Sequence, residues 1–199
     1  MRAPACLIGT LLMTGGFAPD CVYAAPEPVT VSAIFADAAP TKVTAPKDIS
    51  HCALRIVELS DIRKSPEMLG VYVKRAVYAP QDRFAWLRSI VGGLESRGLT
   101  LTFSDEPAPN ESAIEAKIAL QLAWLTDTVG NISATAVFHV EAQSRSGKID
   151  KFERGAGSKM TYWSLGSSAG QGMIQAAVDS AFSKSLDAIA TDLYPLCRS

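Results

Sequence analysis

Over residues 114–142 the apolar side chains fall on every second position. Ile114, Ala116, Ile118, Leu120, Leu122 and Trp124 hold the even places, with Glu115, Lys117 and Gln121 between them. Beyond Val129, Gly130 and Asn131 the same parity resumes at Ile132, Ala134, Ala136, Phe138, Val140 and Ala142, opposite Ser133, Thr135, His139, Glu141 and Gln143. Side chains alternate across a strand with period two, so the pattern predicts two long antiparallel strands sharing one buried face. A turn at Ser146 and Gly147 then leads into a third strand, from Ile149 through Phe152 to Tyr162 and Trp163. The other face of this meander is expected to be polar.

Elsewhere the period changes to that of a helix. Between residues 82 and 97, Phe84, Leu87, Val91 and Leu94 share one helical face, Gly98 stands where a C-terminal cap belongs, and Gly92 with Gly93 is the weak point. Near the end, Ile174, Val178, Ala181, Phe182, Leu186, Ile189 and Leu193 trace a longer stripe. It predicts a helix starting after Ser168, with Ser168 and Gln171 as a capping box, and stopping at Pro195. Shorter apolar runs predict strands over 54–59 and 99–103, and an extended piece at Val71 and Val73 after a turn at Ser65, Pro66 and Gly70. A polar loop follows over 104–112. Strand, helix, strand, meander and helix in that order predict an α+β two-layer sandwich: a mostly antiparallel sheet with two helices packed on one face.

The amino terminus sets a compartment. Arg2 precedes an apolar stretch over 3–17 that contains Leu11, Leu12 and Met13. That run is short of the roughly 20 residues a membrane helix needs, and Val22, Tyr23, Ala24 follow as a small-x-small site. The pattern predicts a signal peptide over 1–24, cut between Ala24 and Ala25. The rival is lipidation at Cys21, against which the preceding Ala18, Pro19 and Asp20 fit a lipobox poorly. Residues 25–50, with Pro26, Pro28, Pro40 and Pro46, read as a linker, leaving 51–199 as a single domain.

Export changes the meaning of the cysteines. Loss of the leader removes Cys6 and Cys21, and the remaining pair, Cys52 and Cys197, is a disulfide candidate in an oxidising compartment. It would close nearly the whole domain, which is worth roughly 4 to 5 kcal/mol in the chain-entropy account. Composition adds little more. The 199 residues are 48% apolar and 20% charged with a formal net charge of -1, too balanced for a nucleic-acid or polybasic membrane-surface protein and too apolar for a disordered one.

Several short matches in the right order resemble the YajG-type bacterial envelope lipoproteins over about residues 53–193. They are Asp61-x-Arg63 after the first strand, the helix with Arg83, Leu87 and Leu94 ending in Ser96, Arg97, Gly98, and Gly130-Asn131 between the long strands. The Gly147-Lys148 turn with Lys151 beyond it, and the glycine-containing entry to the last helix, complete the set. The resemblance implies a periplasm-facing protein of Gram-negative bacteria, usually anchored to the outer membrane and without an established enzymatic activity. A looser likeness of layout connects the chain to auxiliary lipoproteins of envelope transport systems.

Candidate chemistry is thin. Gly166-Ser167-Ser168-Ala169-Gly170 matches the nucleophile elbow G-x-S-x-G, but both histidines, His51 and His139, precede it, whereas a hydrolase of that type places its base later. The capping role explains Ser168 without catalysis. Gly155, Gly157, Ser158 and Lys159 lack the spacing of a phosphate loop and are expected to mark a bulge or bend in a strand. His139 has no second ligand at a metal spacing. Asn110-Glu111-Ser112 and Asn131-Ile132-Ser133 are sequons with meaning only in a eukaryotic secretory pathway. Asp61 and Arg63 read as a turn carboxylate beside a surface arginine. The expectation is therefore a non-enzymatic exported protein with no catalytic residues, cofactor or metal. It would act through binding or structural contacts with an envelope protein or lipid, with self-association left open, or as an accessory part of a lipid or lipopolysaccharide transport system.

Overall fold

The computed structural model describes residues 27–36, 52–106, 113–128, 130–161 and 167–197. The segment expected to be a leader, the cleavage site expected between Ala24 and Ala25, and Cys21 lie outside them, as do His51, Asn110, Tyr162, Trp163 and Gly166. Eight strands and two helices follow in the order β1 (Val29–Thr30), β2 (Cys52–Asp61), β3 (Met68–Tyr72), β4 (Arg75–Tyr78), α1 (Arg83–Gly92), β5 (Leu99–Phe103), β6 (Ile114–Thr128), β7 (Asn131–Gln143), β8 (Ile149–Thr161) and α2 (Ser167–Leu196). The class is the α+β layering expected. The meander β6–β7–β8 is antiparallel and in register from Asn131 opposite Thr161 to Gln143 opposite Ile149.

The free edge of β6 is shared between two partners. Its first half runs parallel to β2, from Leu54 opposite Ile114 to Asp61 opposite Leu120, and β2 in turn pairs parallel with β5. Its second half meets β3 at Gly70 opposite Leu125, and β3 continues the sheet through β4 to β1. The stretch β2–α1–β5 is thus a parallel crossover unit with α1 over the sheet.

Both helices seal the same face. Phe182 of α2 is the meeting point: its ring stands edge-on to Trp86 of α1 at 5.5 Å, tilted against Phe138 of β7 at 5.9 Å, and edge-on to Phe35 at 6.5 Å. Aromatic rings prefer such edge contacts to stacked ones. Arg97 is buried with them. Its Nε donates to Asp187 at 2.7 Å, and its terminal nitrogens donate to the carbonyls of Gly93 and Ser183 at 2.6 and 2.8 Å. The guanidinium joins the end of α1 to the middle of α2. The domain is closed by a disulfide between Cys52 and Cys197, whose Cα atoms are 5.5 Å apart.

The structure departs from the sequence expectations in several places. Residues 27–36 are not free linker: Val29 and Thr30 pair with Val77 and Tyr78, and Val29, Val31 and Phe35 are buried. Helix α1 stops at Gly92 rather than Arg97, with Phe84 exposed and Trp86, Leu87, Ile90 and Val91 buried. A Cβ at Gly93 would meet side-chain carbons of Leu186 and Phe35 at 2.9 Å, so the chain breaks where α2 presses closest. A single 3₁₀ turn over Glu95–Arg97 follows and ends at Gly98, at φ +86°. Val73 is not in a strand but in the β3–β4 turn, and β4 follows it.

Further differences concern the last strand and helix. Ser168 lies within the first turn of α2, and Pro195 lies inside its last turn rather than after it. A proline there gives up the hydrogen bond to the carbonyl four residues back, and only Leu196 of the helix follows it. Gly155 and Gly157 sit in unbroken pairing with no bulge. The irregularities fall instead between Ile56 and Glu58, between Met68 and Gly70, and between Leu120 and Leu122.

Candidate interaction surface

The last of these irregularities decides what the uncovered face carries. Up to Leu120 the even residues of β6 point inward as expected: Ile114, Ala116, Ile118 and Leu120 are all buried. Gln121 is the extra residue of a β-bulge, and an inserted residue moves every later side chain to the opposite face. Ala123 and Leu125 are therefore buried, while Leu122 and Trp124, expected in the core, are 42% and 43% exposed on the outer face.

The bulge sits where β6 changes partner. The amide of Ile62, just beyond β2, donates to the Leu120 carbonyl at 3.0 Å, and the next strand contact on that edge is at Leu125. Between the two, the loop from β2 to β3 crosses the gap. Arg63 holds this loop. Its guanidinium is buried, donates to both carboxylate oxygens of Asp61 at 2.8 and 2.7 Å, bonds the Pro66 carbonyl, and lies 5.7 Å from the Trp86 ring centre. The expected surface arginine is thus an internal pin. With it in place, Ile62 and Lys64 are exposed on either side.

The outer face accordingly has two halves. In one, cross-strand neighbours pair their charges: Arg55 with Glu115 at 3.4 Å, Lys117 with Glu58 at 3.5 Å, and Lys151 with Glu141 at 2.8 Å. The hydrogen bond from Lys151 holds the Glu141 carboxyl below its ordinary value. His139 and Glu153, 3.7 Å apart, stand at the boundary. Beyond them the rows read Leu122, Val137, Gly155, then Trp124, Thr135, Gly157. A trough of about 650 Å³ opens here, with Ile62, Met68, Leu122, Trp124 and Val137 as its apolar lining and Lys64, Gln121 and Glu153 among the polar residues at its walls. Part of the face expected to be polar is therefore apolar, with Leu122 and Trp124 exposed on it, and the rows beyond, Thr126–Ser133–Lys159 and Thr128–Asn131–Thr161, are polar again.

The other sequence candidates do not assemble. His139 is on the outer face, whereas α2 packs on the inner one, and the side chain of Ser168 lies outside the described residues. Among the described residues no group of three or more His, Cys, Asp or Glu could hold a metal, and no described helix is long and apolar enough to cross a membrane. Strict alternation through residue 121 does not predict the trough, because it sends Leu122 and Trp124 inward. The signal was present as four consecutive apolar residues, Leu122 to Leu125, a run that one strand face cannot absorb.

No protein-family model matches the chain, and no curated protein matches it. Among solved structures, XCC0632 of Xanthomonas campestris, assigned to DUF330, is 14% identical with a TM-score of 0.43, covering 85% of this chain and 91% of its own. A minor lipoprotein of Acinetobacter baumannii is 10% identical with a TM-score of 0.44, covering 73% and 92%. The PelC dodecamer of Paraburkholderia phytofirmans is 12% identical with a TM-score of 0.38, covering 72% and 92%. At such identities and scores no residue role passes from them to this chain.

Proposed function

We propose that the protein is a non-enzymatic, exported protein of the bacterial envelope that works by contact, with the apolar half of its outer sheet face as the working surface. One observation carries this reading. The inner face is packed by two helices, and the charged part of the outer face pairs its own charges, whereas Ile62, Leu122 and Trp124 stand exposed around one trough. Contiguous exposed apolar surface of this kind marks interaction sites, while scattered single residues do not. The leader over 1–24, the disulfide and the resemblance to YajG-type lipoproteins support the compartment.

The test is a photoactivatable cross-linking residue placed at Trp124 or at Lys117, in cells that export the protein. A reproducible adduct from position 124 and none from 117 is expected. No adduct from 124, or adducts only from 117, would overturn the reading. The apolar lining of the trough also favours a second role, as an accessory component of a lipid or lipopolysaccharide transport system. Lipid recovered with the purified protein by mass spectrometry would support it, and a deletion strain with intact outer-membrane permeability would count against it.

A further inference from the structure

Resting on the reading of that half as the working surface, we propose that its partner is the surface of an anionic phospholipid bilayer. The exposed apolar positions do not end at the trough. Beyond Trp124 the sheet continues through the Gly70–Leu125 pairing to Val71, 38% exposed between buried Gly70 and Tyr72, and to Val73, 40% exposed at the hairpin turn. Val71 and Val73 thus extend the exposed apolar positions of Ile62, Leu122 and Trp124 along the sheet, past Thr126, as one stripe. Its aromatic member is tryptophan, the side chain that settles where hydrocarbon meets water.

Charge selects the partner. Lys64 beside Ile62, Lys74 beside Val73, and Lys159 in the row of Thr126 and Ser133 are all exposed, and none has an ion-pair partner among the described residues. This contrasts with the other half of the face, where Arg55, Lys117 and Lys151 each meet a carboxylate. Of the carboxylates near the stripe, Asp127 accepts from the Val73 amide at 3.0 Å, and Glu153, at the edge of the trough, lies 3.7 Å from His139. The net charge of -1 hides this local excess because the remaining charges largely cancel. An apolar stripe with tryptophan, ringed by unpaired lysines, matches headgroup phosphates over acyl chains.

The test uses protein purified from a bacterial host that exports it, its amino terminus fixed by mass. It is mixed with phosphatidylglycerol–phosphatidylcholine vesicles carrying brominated acyl chains, or with phosphatidylcholine alone, and tryptophan quenching is read. Trp86 is buried, and Trp124→Phe identifies the responding indole while keeping the stripe apolar. The expected result is quenching on anionic vesicles that falls with salt and disappears in Trp124→Phe, whose vesicle binding persists. Lys64→Glu with Lys159→Glu should weaken binding roughly tenfold or more, since each lysine near an anionic surface contributes several-fold. Quenching that is absent, equal on neutral vesicles, or unchanged in Trp124→Phe would overturn the proposal. A protein adduct from position 124 without quenching would overturn the lipid partner and keep the working surface. Adducts confined to position 117 would overturn both.

Discussion

Leu122 and Leu125 are the same residue three positions apart on one strand, and the bulge at Gln121 assigns them opposite fates. Leu125 is fully buried and Leu122 is 42% exposed. Truncating a buried leucine to alanine costs the transfer free energy of the lost carbons plus the cavity they leave, about 3 kcal/mol within a usual range of 2 to 5. Leu122→Ala removes carbons that already face solvent and leaves no closed cavity, so it should cost about 1 kcal/mol or less. For a chain of this size 1 kcal/mol moves the melting temperature by about 2 to 4 °C. Leu125→Ala should therefore melt on the order of 6 to 12 °C below the parent, and Leu122→Ala within a few degrees of it. Unbroken alternation from residue 114 assigns the two in the reverse order. Thermal unfolding of both variants side by side decides, and a larger loss in Leu122→Ala would refute the bulge and the surface built on it.

Three further outcomes follow from the geometry. Asp187→Asn removes the carboxylate that the buried Arg97 guanidinium bonds at 2.7 Å and should cost about 3 to 5 kcal/mol in urea unfolding, whereas Asp105→Asn, which breaks the exposed pair with Arg88, should leave the unfolding midpoint nearly unchanged. Gly155→Ala should destabilise by about 1 kcal/mol or more, because its Cβ would sit 2.7 Å from Val137 Cγ2 and 3.1 Å from the Ala136 carbonyl oxygen. Gly157→Ala meets only ordinary contacts and should be neutral or gain a few tenths of a kcal/mol. Burial raises the pKa of Tyr194, whose hydroxyl donates to the Arg97 carbonyl. The folded state then keeps its proton longer than the unfolded one, so stability is full below the unfolded tyrosine value near 10 and falls as pH rises towards the folded value. Tyr194→Phe should remove that alkaline slope, which unfolding measurements above pH 9 can check.

How much of this was legible depended on whether the signal was periodic. The α2 stripe from Ile174 to Leu193 repeats over many turns, and the alternation of β7 is uninterrupted, so both are found where expected. β6 carries the same signal with a one-residue insertion at a place where both parities are apolar, and a period-two count passes over it. β1 is only two residues long and is defined by its neighbour β4, not by its own pattern. Arg63 and Arg97 look like surface cations in sequence. What buries them is a set of partners, and for Arg97 these lie in Ser183 and Asp187, far along the chain. The pairing of β6 with β2 on one half and β3 on the other is likewise a long-range choice that no local window contains.

That choice is also what produces the surface. A strand with one partner along its whole edge would have no gap to bridge, and even alternation would send Leu122 and Trp124 into the core. Because the pairing with β2 ends opposite Leu120 and that with β3 begins only opposite Leu125, the intervening edge of β6 is free to bulge, and the loop pinned by Arg63 brings Ile62 alongside the side chains that the bulge turns outward. Apolar residues placed outside in this way gain less from burial than those inside, and a threonine would fill a strand position as well. The fold thus accounts for where Leu122 and Trp124 point, but not for why they are apolar. Contact with an apolar partner accounts for that, and it joins the split sheet to the proposed function.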